Sequence, residues 1–403
     1  MKSQKAAGAT IVMKFGGSSL ATSELRDAAA ARVREARDAG HPVIVIASAM
    51  GRQPQAYATD TLLGLIERTA GGPNADLLLA CGEIISAAVL AELLERKGVP
   101  ARALTGGQAG LLTDATHGSA KVLAVDPSPV RALLDAGITP VVSGFQGQTQ
   151  EGAVTTLGRG GSDLTAVVLA QAFRGATLQI YTDVDGVMTA DPKRVPSAKT
   201  IPSLTFEEVT ELSEHGANVM HDKAADLARV AKLEYSVRSL RTGLGTKIGA
   251  RAPASDHPVS GVATSFGFSF MHVVPEAAVL PGGWEQQAFR ALAEARISID
   301  CVNVNSAGLF FIVRGGDDAR AHACLEPLPL AVRTRRDCAK ISVVGAGMRG
   351  TPGVMYRAVR ALSGAGVPII HSTDSNITIS LLVPGALAGA AENALHQDFG
   401  LAG

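Results

Sequence analysis

The sequence predicts an α/β fold in which a mostly parallel sheet is sandwiched by helices and followed by a pair of small βαββ-type domains. Three observations carry that prediction. Short apolar runs rich in Val and Ile alternate with Ala/Leu/Glu/Arg stretches of helical period, the pattern of strands buried on both faces. Two glycine-rich motifs stand where strands give way to helices, KFGGSS at Lys14–Ser19 and GRGGSD at Gly158–Asp163. Late in the chain, two segments of about 70 residues repeat one another.

Taken in order, the β-branched runs give strands at Thr10–Lys14, Val43–Ser48, Val141–Ser143 and Gln179–Thr182. Helical spacing places helices at Glu24–Ala39, Ala75–Lys97, Val130–Ala136 and Asp163–Phe173. Arg251–Pro258, RAPASDHP, reads as a linker, and shorter elements are expected after it. It divides the chain into residues 1–250 and 251–403, the latter holding units at about 262–335 and 338–403. In the first of these, Pro281-Gly282 precedes a helix at Trp284–Ala295, with strands near Ile297–Val304 and Leu309–Val313. The second, Ile341–Pro384, follows the same order. Such pairs bind a small ligand between them or form a subunit interface.

At 403 residues the chain has room for more than one core. Lys plus Arg and Asp plus Glu both number 37, so no global field draws nucleic acid or an anionic membrane, and any basic site must be local. Aromatics make up 4% of the chain, too few for base-stacking platforms. The four cysteines lack metal-ligand spacing and read as small buried hydrophobes. Neither a signal peptide nor an apolar run of about 20 residues is recognised, which makes the cytoplasm the expected compartment.

The chemistry concentrates in the glycine motifs. In GRGGSD, glycines let the backbone approach a ligand while Arg159 offers a planar fork of donors matching a carboxylate or phosphate. In KFGGSS, Lys14 ends a strand and is followed by Gly16-Gly17, a place where an ammonium and backbone N–H groups meet a phosphoryl group. A strand-end lysine in solvent, with glycines serving a turn, reads that motif equally well. Two anion sites on one chain suggest an anionic donor and an anionic acceptor. Asp183, Asp185 and Asp191 of TDVDGVMTADP suit a ribose hydroxyl or hydrated magnesium, or else Asx-turns of a plain loop. Glu83 opens a helical segment, where simple solvation is the alternative.

These motifs, with SAMGRQPQAYATDTLL at Ser48–Leu63, LLLACGEIIS at Leu77–Ser86, GFQGQTQEGAVTTLGRGGSDLTA at Gly144–Ala166, VGAGMRGTPGV and STDSNITISLLV, resemble those of the monofunctional aspartate kinases over essentially the whole chain. The resemblance implies an amino-acid-kinase fold followed by two ferredoxin-like ACT domains. It implies phosphorylation of the L-aspartate β-carboxylate by ATP with Mg²⁺, the entry to lysine, threonine and methionine synthesis. It also implies a homodimer or higher oligomer through the ACT domains, and feedback by lysine, threonine or diaminopimelate.

By motif, the resemblance assigns Arg159 to the aspartate α-carboxylate, Glu83 to its α-ammonium, and Ser48, Thr59, Ser162 and Phe145 to the rest of that site. Lys14 and Asp163 become the catalytic pair. Nucleotide is expected against Lys14, Gly16, Gly17, Ser18, Thr182, Asp183, Met188, Lys193 and position 218, and effector against Asp300, Asn303, Gly353, Val354, Asp374 and Asn376. One departure stands out: Asn218 replaces a lysine that the family directs at the phosphates. Loss of one preorganised cation costs on the order of 10²- to 10³-fold in rate. A weakened regulatory paralogue and a kinase for another amino acid are therefore alternatives.

Overall fold

The computed structural model describes residues 8–66, 71–214, 220–250, 258–276 and 283–402. Asn218, Pro281, Gly282 and most of the expected linker lie outside them. The chain divides into two compact units, the second of which takes in Met188–Lys199 as well as the chain after the linker.

The first unit begins with β1 (Ile11–Phe15), α1 (Ser23–Asp38), β2 (Val43–Ala47), α2 (Thr59–Leu63), α3 (Pro73–Arg96) and β3 (Ala101–Leu104). It continues through β4 (Leu111–Thr113), β5 (Val122–Val125), α4 (Ser128–Asp135), β6 (Thr139–Ser143), β7 (Gln146–Gln148), β8 (Val154–Thr156), α5 (Gly161–Ala172) and β9 (Thr177–Thr182). It closes with β10 (Ser203–Thr205), α6 (Phe206–Glu214), α7 (Asp222–Val230), β11 (Tyr235–Ser239) and β12 (Gly245–Gly249). Its main sheet has the order β10-β12-β11-β9-β1-β2-β6-β3, and every neighbouring pair is parallel except β11/β12. The predicted strands and helices of this unit are all present, with ends shifted by a few residues.

Strand parity decides what each face does. Ile11, Met13 and Phe15 of β1 join Val43, Val45 and Ala47 of β2 in a core closed by Ala29 and Val33 of α1 and by Ala87, Leu90 and Leu94 of α3. Alternation then turns Val12 and Lys14 to the opposite face, where α5 lies beside β1. A lysine at the fourth position of this strand is thus aimed at the head of α5. A smaller sheet, β5-β4-β7-β8, flanks this frame.

Helix α3 corrects one expectation. It runs 24 residues, and its most apolar stretch has mean hydropathy 2.1, enough by length and composition to cross a membrane. Half of that stretch is buried inside the protein, and its apolarity serves the sheet core.

The second unit contains β13 (Gly261–Pro275), α8 (Trp284–Glu294), β14 (Asp300–Asn305), β15 (Gly308–Arg314), α9 (Asp317–Leu325), β16 (Leu330–Val344), α10 (Val354–Gly364), β17 (His371–Asp374), β18 (Thr378–Pro384) and α11 (Ala388–Asp398). These form one antiparallel sheet of order β14-β15-β13-β16-β18-β17. Elements after the linker are not uniformly shorter: β13 and β16 have 15 residues each. Each long strand serves two cores. Val262 belongs with Ile341, Val354, Leu381 and Leu395, whereas Met271 and Val273 belong with Leu292, Phe311 and Leu330. Irregularities between Ser265 and Phe270 mark the change of register. The edge strands approach each other, with His371 Nε2 3.0 Å from the Cys301 carbonyl oxygen.

Met188–Lys199 is anchored inside this unit. Val262 N–H donates to the Thr189 carbonyl at 2.8 Å, Arg194 pairs with buried Glu392 at 2.5 Å, and Thr189 Oγ1 lies 2.9 Å from His396 Nε2. Burial pushes the His396 imidazole below its ordinary pKa.

Candidate active site

A cavity of about 490 Å³ opens in the first unit beyond the carboxyl ends of β1, β2 and β9, the position where open α/β sheets bind ligands. It gathers Lys14, Gly16, Gly17, Ser18, Ser48, Thr59, Glu83, Phe145, Arg159, Ser162, Asp163, Thr182 and Asp183, all expected from sequence. Met188 and Lys193 do not line it; both lie in the segment that belongs to the second unit. Position 218 is outside the described residues.

Lys14 Nζ stands 2.6 Å from Asp163 Oδ1, an ion pair between the two residues that the resemblance groups as catalytic. Asp163 Oδ2 also accepts from His221 N–H at 3.3 Å. Asp163 sits in the first turn of α5, whose positive dipole end favours an anion. Two glycines permit close backbone packing around the site, Gly160 at the head of α5 and Gly17 beside the loop after β2. At Gly160, φ is +75°, and a Cβ would lie 2.1 Å from the His221 ring; at Gly17 one would lie 2.6 Å from the Ala49 carbonyl.

The part of the cavity around Glu83 and Arg159 has a different character. Glu83 is 3% exposed, takes a hydrogen bond at Oε1 from Ala49 N–H at 3.2 Å, and leaves Oε2 without a hydrogen-bond partner among the described residues. Burial pushes its carboxyl up to about 8. A buried carboxyl with one oxygen open, and with no ion pair among the described residues, is suited to a cation that arrives with the ligand. Arg159, across the same cavity, supplies the complementary charge. Phe145 backs the site with φ at +68°, a strained conformation for a bulky residue, held by its N–H donating to Thr165 Oγ1 at 3.2 Å.

Among the acids of TDVDGVMTADP, Asp183 alone borders the cavity. Asp185 accepts from Thr242 Oγ1 at 2.7 Å, and Asp191 accepts from Lys193 N–H at 2.9 Å and pairs with Arg194 at 2.8 Å. Those two are loop-fixing residues. Sequence reading missed Arg52, Tyr181, Met220 and His221 in the lining. Tyr181 stacks on Phe15 at 4.9 Å, and the signal that could have found it is its place directly before Thr182.

Asp300 begins β14 with Oδ2 2.5 Å from Lys340 Nζ, beside a cavity of about 300 Å³ that Arg314, Ser265 and Ser298 also line. Asn303 lies on the same edge strand, and Asp374 ends the edge strand β17 that approaches it. Asn376 is exposed in the following turn. Gly353 caps α10 with φ at +88°, and Val354 packs into one of the two cores.

Residues 9–239 match the amino acid kinase family and residues 341–399 match an ACT domain. Aspartokinase 1 of Bacillus subtilis is 39% identical over 97% of this chain and 99% of its own length. The chain belongs to the aspartokinase family. The crystal structure of E. coli aspartokinase III with aspartate and ADP is 23% identical, with a TM-score of 0.73 over 96% of this chain and 99% of that one. The same E. coli aspartokinase with lysine and aspartate gives 0.74 at 23% identity, over 97% and 99%. These structures share the fold. The expected fold class, an amino-acid-kinase sheet followed by ACT domains, is thereby borne out.

Proposed function

We propose that the protein is an aspartate kinase that transfers the γ-phosphoryl group of ATP to the β-carboxylate of L-aspartate, giving L-aspartyl 4-phosphate and ADP. One observation carries this reading: a single cavity pairs a phosphate-type site, Lys14 with the head of α5, with an amino-acid-type site, Glu83 with Arg159. The activity follows from family membership over the full length. It opens a branch of amino-acid biosynthesis.

In this reading a β-carboxylate oxygen attacks the γ-phosphorus while the bond to the β–γ bridging oxygen breaks, and the electron pair leaves with ADP. The carboxylate is already ionised at neutral pH, so no base is needed. Glu83 and Arg159 hold the α-ammonium and α-carboxylate, with Ser48, Thr59 and Ser162 on the remaining polar atoms and Phe145 behind them. Lys14 cancels charge on the phosphoryl group in flight, Asp163 orients Lys14, and Thr182 and Asp183 face the nucleotide. Among the described residues no cluster of three or more ligating side chains converges. That suits Mg²⁺, which brings most of its oxygens as water and nucleotide phosphate and would find the Asp183 carboxylate at the cavity wall. When bound it offsets the charge of the phosphates.

The finer assignments belong to the same proposal: catalysis by residues 1–250, regulation by 251–403, dimerisation through the ACT region, and an amino-acid effector near Asp300, Asn303, Gly353, Val354, Asp374 and Asn376. The E. coli relative solved with lysine supports an amino-acid effector of that kind. Lys193 and Met188 remain candidates for nucleotide contact on motif alone. A cytoplasmic setting agrees with these substrates.

The test traps acyl phosphate as hydroxamate from ATP, Mg²⁺ and a panel of amino acids, with lysine, threonine or diaminopimelate added. Formation with aspartate alone, suppressed by one of the three, is expected. Nucleotide binding without hydroxamate would point instead to the regulatory paralogue that Asn218 suggests.

A further inference from the structure

Outside the cavity, one acid is more completely used than any residue in it. Asp76, in the first turn of α3, is 0% exposed. Its Oδ1 accepts from Thr156 Oγ1 at 2.7 Å and Gly118 N–H at 3.0 Å. Its Oδ2 accepts from His117 Nδ1 at 2.8 Å and Thr156 N–H at 3.0 Å, with Gly118 N–H at 3.2 Å. Because a carboxylate only accepts, His117 must carry its proton on Nδ1. A buried carboxylate satisfied by two backbone amides, a hydroxyl and an imidazole is costly to assemble and ties together the segments that supply those donors.

Those segments lead to the acceptor site from two directions. Thr156 ends β8 and stands three residues before Arg159; its carbonyl is held as well, by Ala120 N–H at 2.9 Å. Gly158, between them, has φ at +78° and would place a Cβ 3.1 Å from the Gly118 carbonyl, so the start of GRGGSD rests on the loop that Asp76 grips. That loop is braced from within, since Asp114 Oδ1 accepts from Thr116 N–H and Lys121 N–H, both at 3.1 Å. Along α3, Glu83 follows Asp76 by seven residues, about two turns of 3.6, and therefore lies on the same face.

We propose that Asp76, with His117, is a positioning residue for the acceptor: it locks the strand leading to Arg159 onto the helix carrying Glu83, so that the two charged ends of the amino-acid clamp are set before aspartate arrives. The inference rests on the kinase reading above. It bears most directly on the acceptor half, because Lys14 and Asp183 are carried by β1 and the loop after β9, to which Asp76 makes no hydrogen bond, and Asp163 lies four residues beyond Arg159.

The test measures steady-state KM for aspartate and for ATP separately, by hydroxamate formation, in the full-length chain. Asp76→Asn places an amide N–H₂ against groups that all donate, and aspartate KM is expected to rise on the order of tenfold or more while ATP KM stays within about twofold. His117→Ala is expected to raise aspartate KM about threefold, and His117→Asn, which restores a donor at the Nδ1 position, to return it to wild type. Should Asp76→Asn fail to fold, the two His117 variants decide the matter. Equal changes in both KM values, or a His117→Asn variant indistinguishable from His117→Ala, would overturn the proposal. A lowered melting temperature with unchanged aspartate KM would do the same. Wild-type protein that forms no aspartyl hydroxamate would instead overturn the kinase reading, and the inference with it.

Discussion

Glu83 and Ser162 stand inside helices and Arg159 immediately before one, whereas Lys14, Thr182 and Asp183 stand at strand ends and in turns. On the proposed reading, the acceptor half of the cavity is carried by α3 with Arg159 and Ser162 where α5 begins, a helix head it shares with the donor half through Asp163. The donor half is an arrangement of short connections around glycines. Rigid carriers suit the half that must tell one amino acid from another. Turns suit the half that must admit and release a nucleotide. The electrostatics differ in the same sense: Lys14 is already paired with Asp163, while Glu83 Oε2 has no hydrogen-bond partner among the described residues and, on the proposed reading, awaits the substrate ammonium.

If the halves are as distinct as this, substitutions must separate their kinetic signatures. Lys14→Ala has the largest expected effect, a drop in kcat of roughly 10²- to 10³-fold with aspartate KM little changed, read in the hydroxamate assay. A large rise in aspartate KM for this variant would merge the two halves. Arg159→Ala comes next. Loss of charge-assisted hydrogen bonds is expected to raise aspartate KM about 10- to 150-fold and leave ATP KM alone.

Glu392→Gln addresses the second unit, where the segment containing Lys193 is anchored. It removes the charge opposite Arg194, which keeps its second partner Asp191, and is expected to cost about 1–3 kcal/mol of stability, seen as a lower melting temperature, with aspartate KM unchanged. A shift in aspartate KM would show that the acceptor half senses the second unit directly.

The smallest effect is a pH dependence. Glu83's carboxyl is raised from its ordinary 4.5 to about 8, so the empty site holds it mostly neutral near pH 7. Aspartate's ammonium favours the ionised form, and aspartate KM is therefore expected to fall as pH rises from about 6.5 to about 8.5. Binding near neutrality releases a proton, measurable by calorimetry in two buffers of different ionisation enthalpy. The stability sign is opposite: a raised native pKa gives stability that is fully present below the unfolded value and is lost as pH rises through about 8. Glu83→Gln is expected to flatten both profiles.

What was readable in the sequence follows from what local pattern encodes. KFGGSS and GRGGSD announce backbone approach and charge, and both motifs reach one cavity because parallel βα topology collects strand ends on one side. The acidic loop was only partly readable, because whether an aspartate caps a turn or faces a ligand depends on Thr242 and Arg194, which sequence distance hides. Met188 and Lys193 were grouped with the donor site by motif, yet their segment is hydrogen-bonded to β13 and to α11, partners met only after folding. The lengths of β13 and β16 are not legible in the sequence because each changes core midway, and such a strand lacks one uninterrupted pattern. Asp76 gave no motif at all, since its partners at 117, 118 and 156 come from separate elements.

The most direct measurement of whether two anions meet in this cavity follows the oxygen between them. Aspartate labelled with ¹⁸O in its β-carboxylate, turned over with MgATP and hydroxylamine, is expected to yield inorganic phosphate carrying one ¹⁸O atom. Attack by the carboxylate leaves that oxygen bridging to phosphorus, and hydroxylamine then displaces it with the phosphate. Unlabelled phosphate would mean that water, and not aspartate, took the phosphoryl group, and would contradict the account.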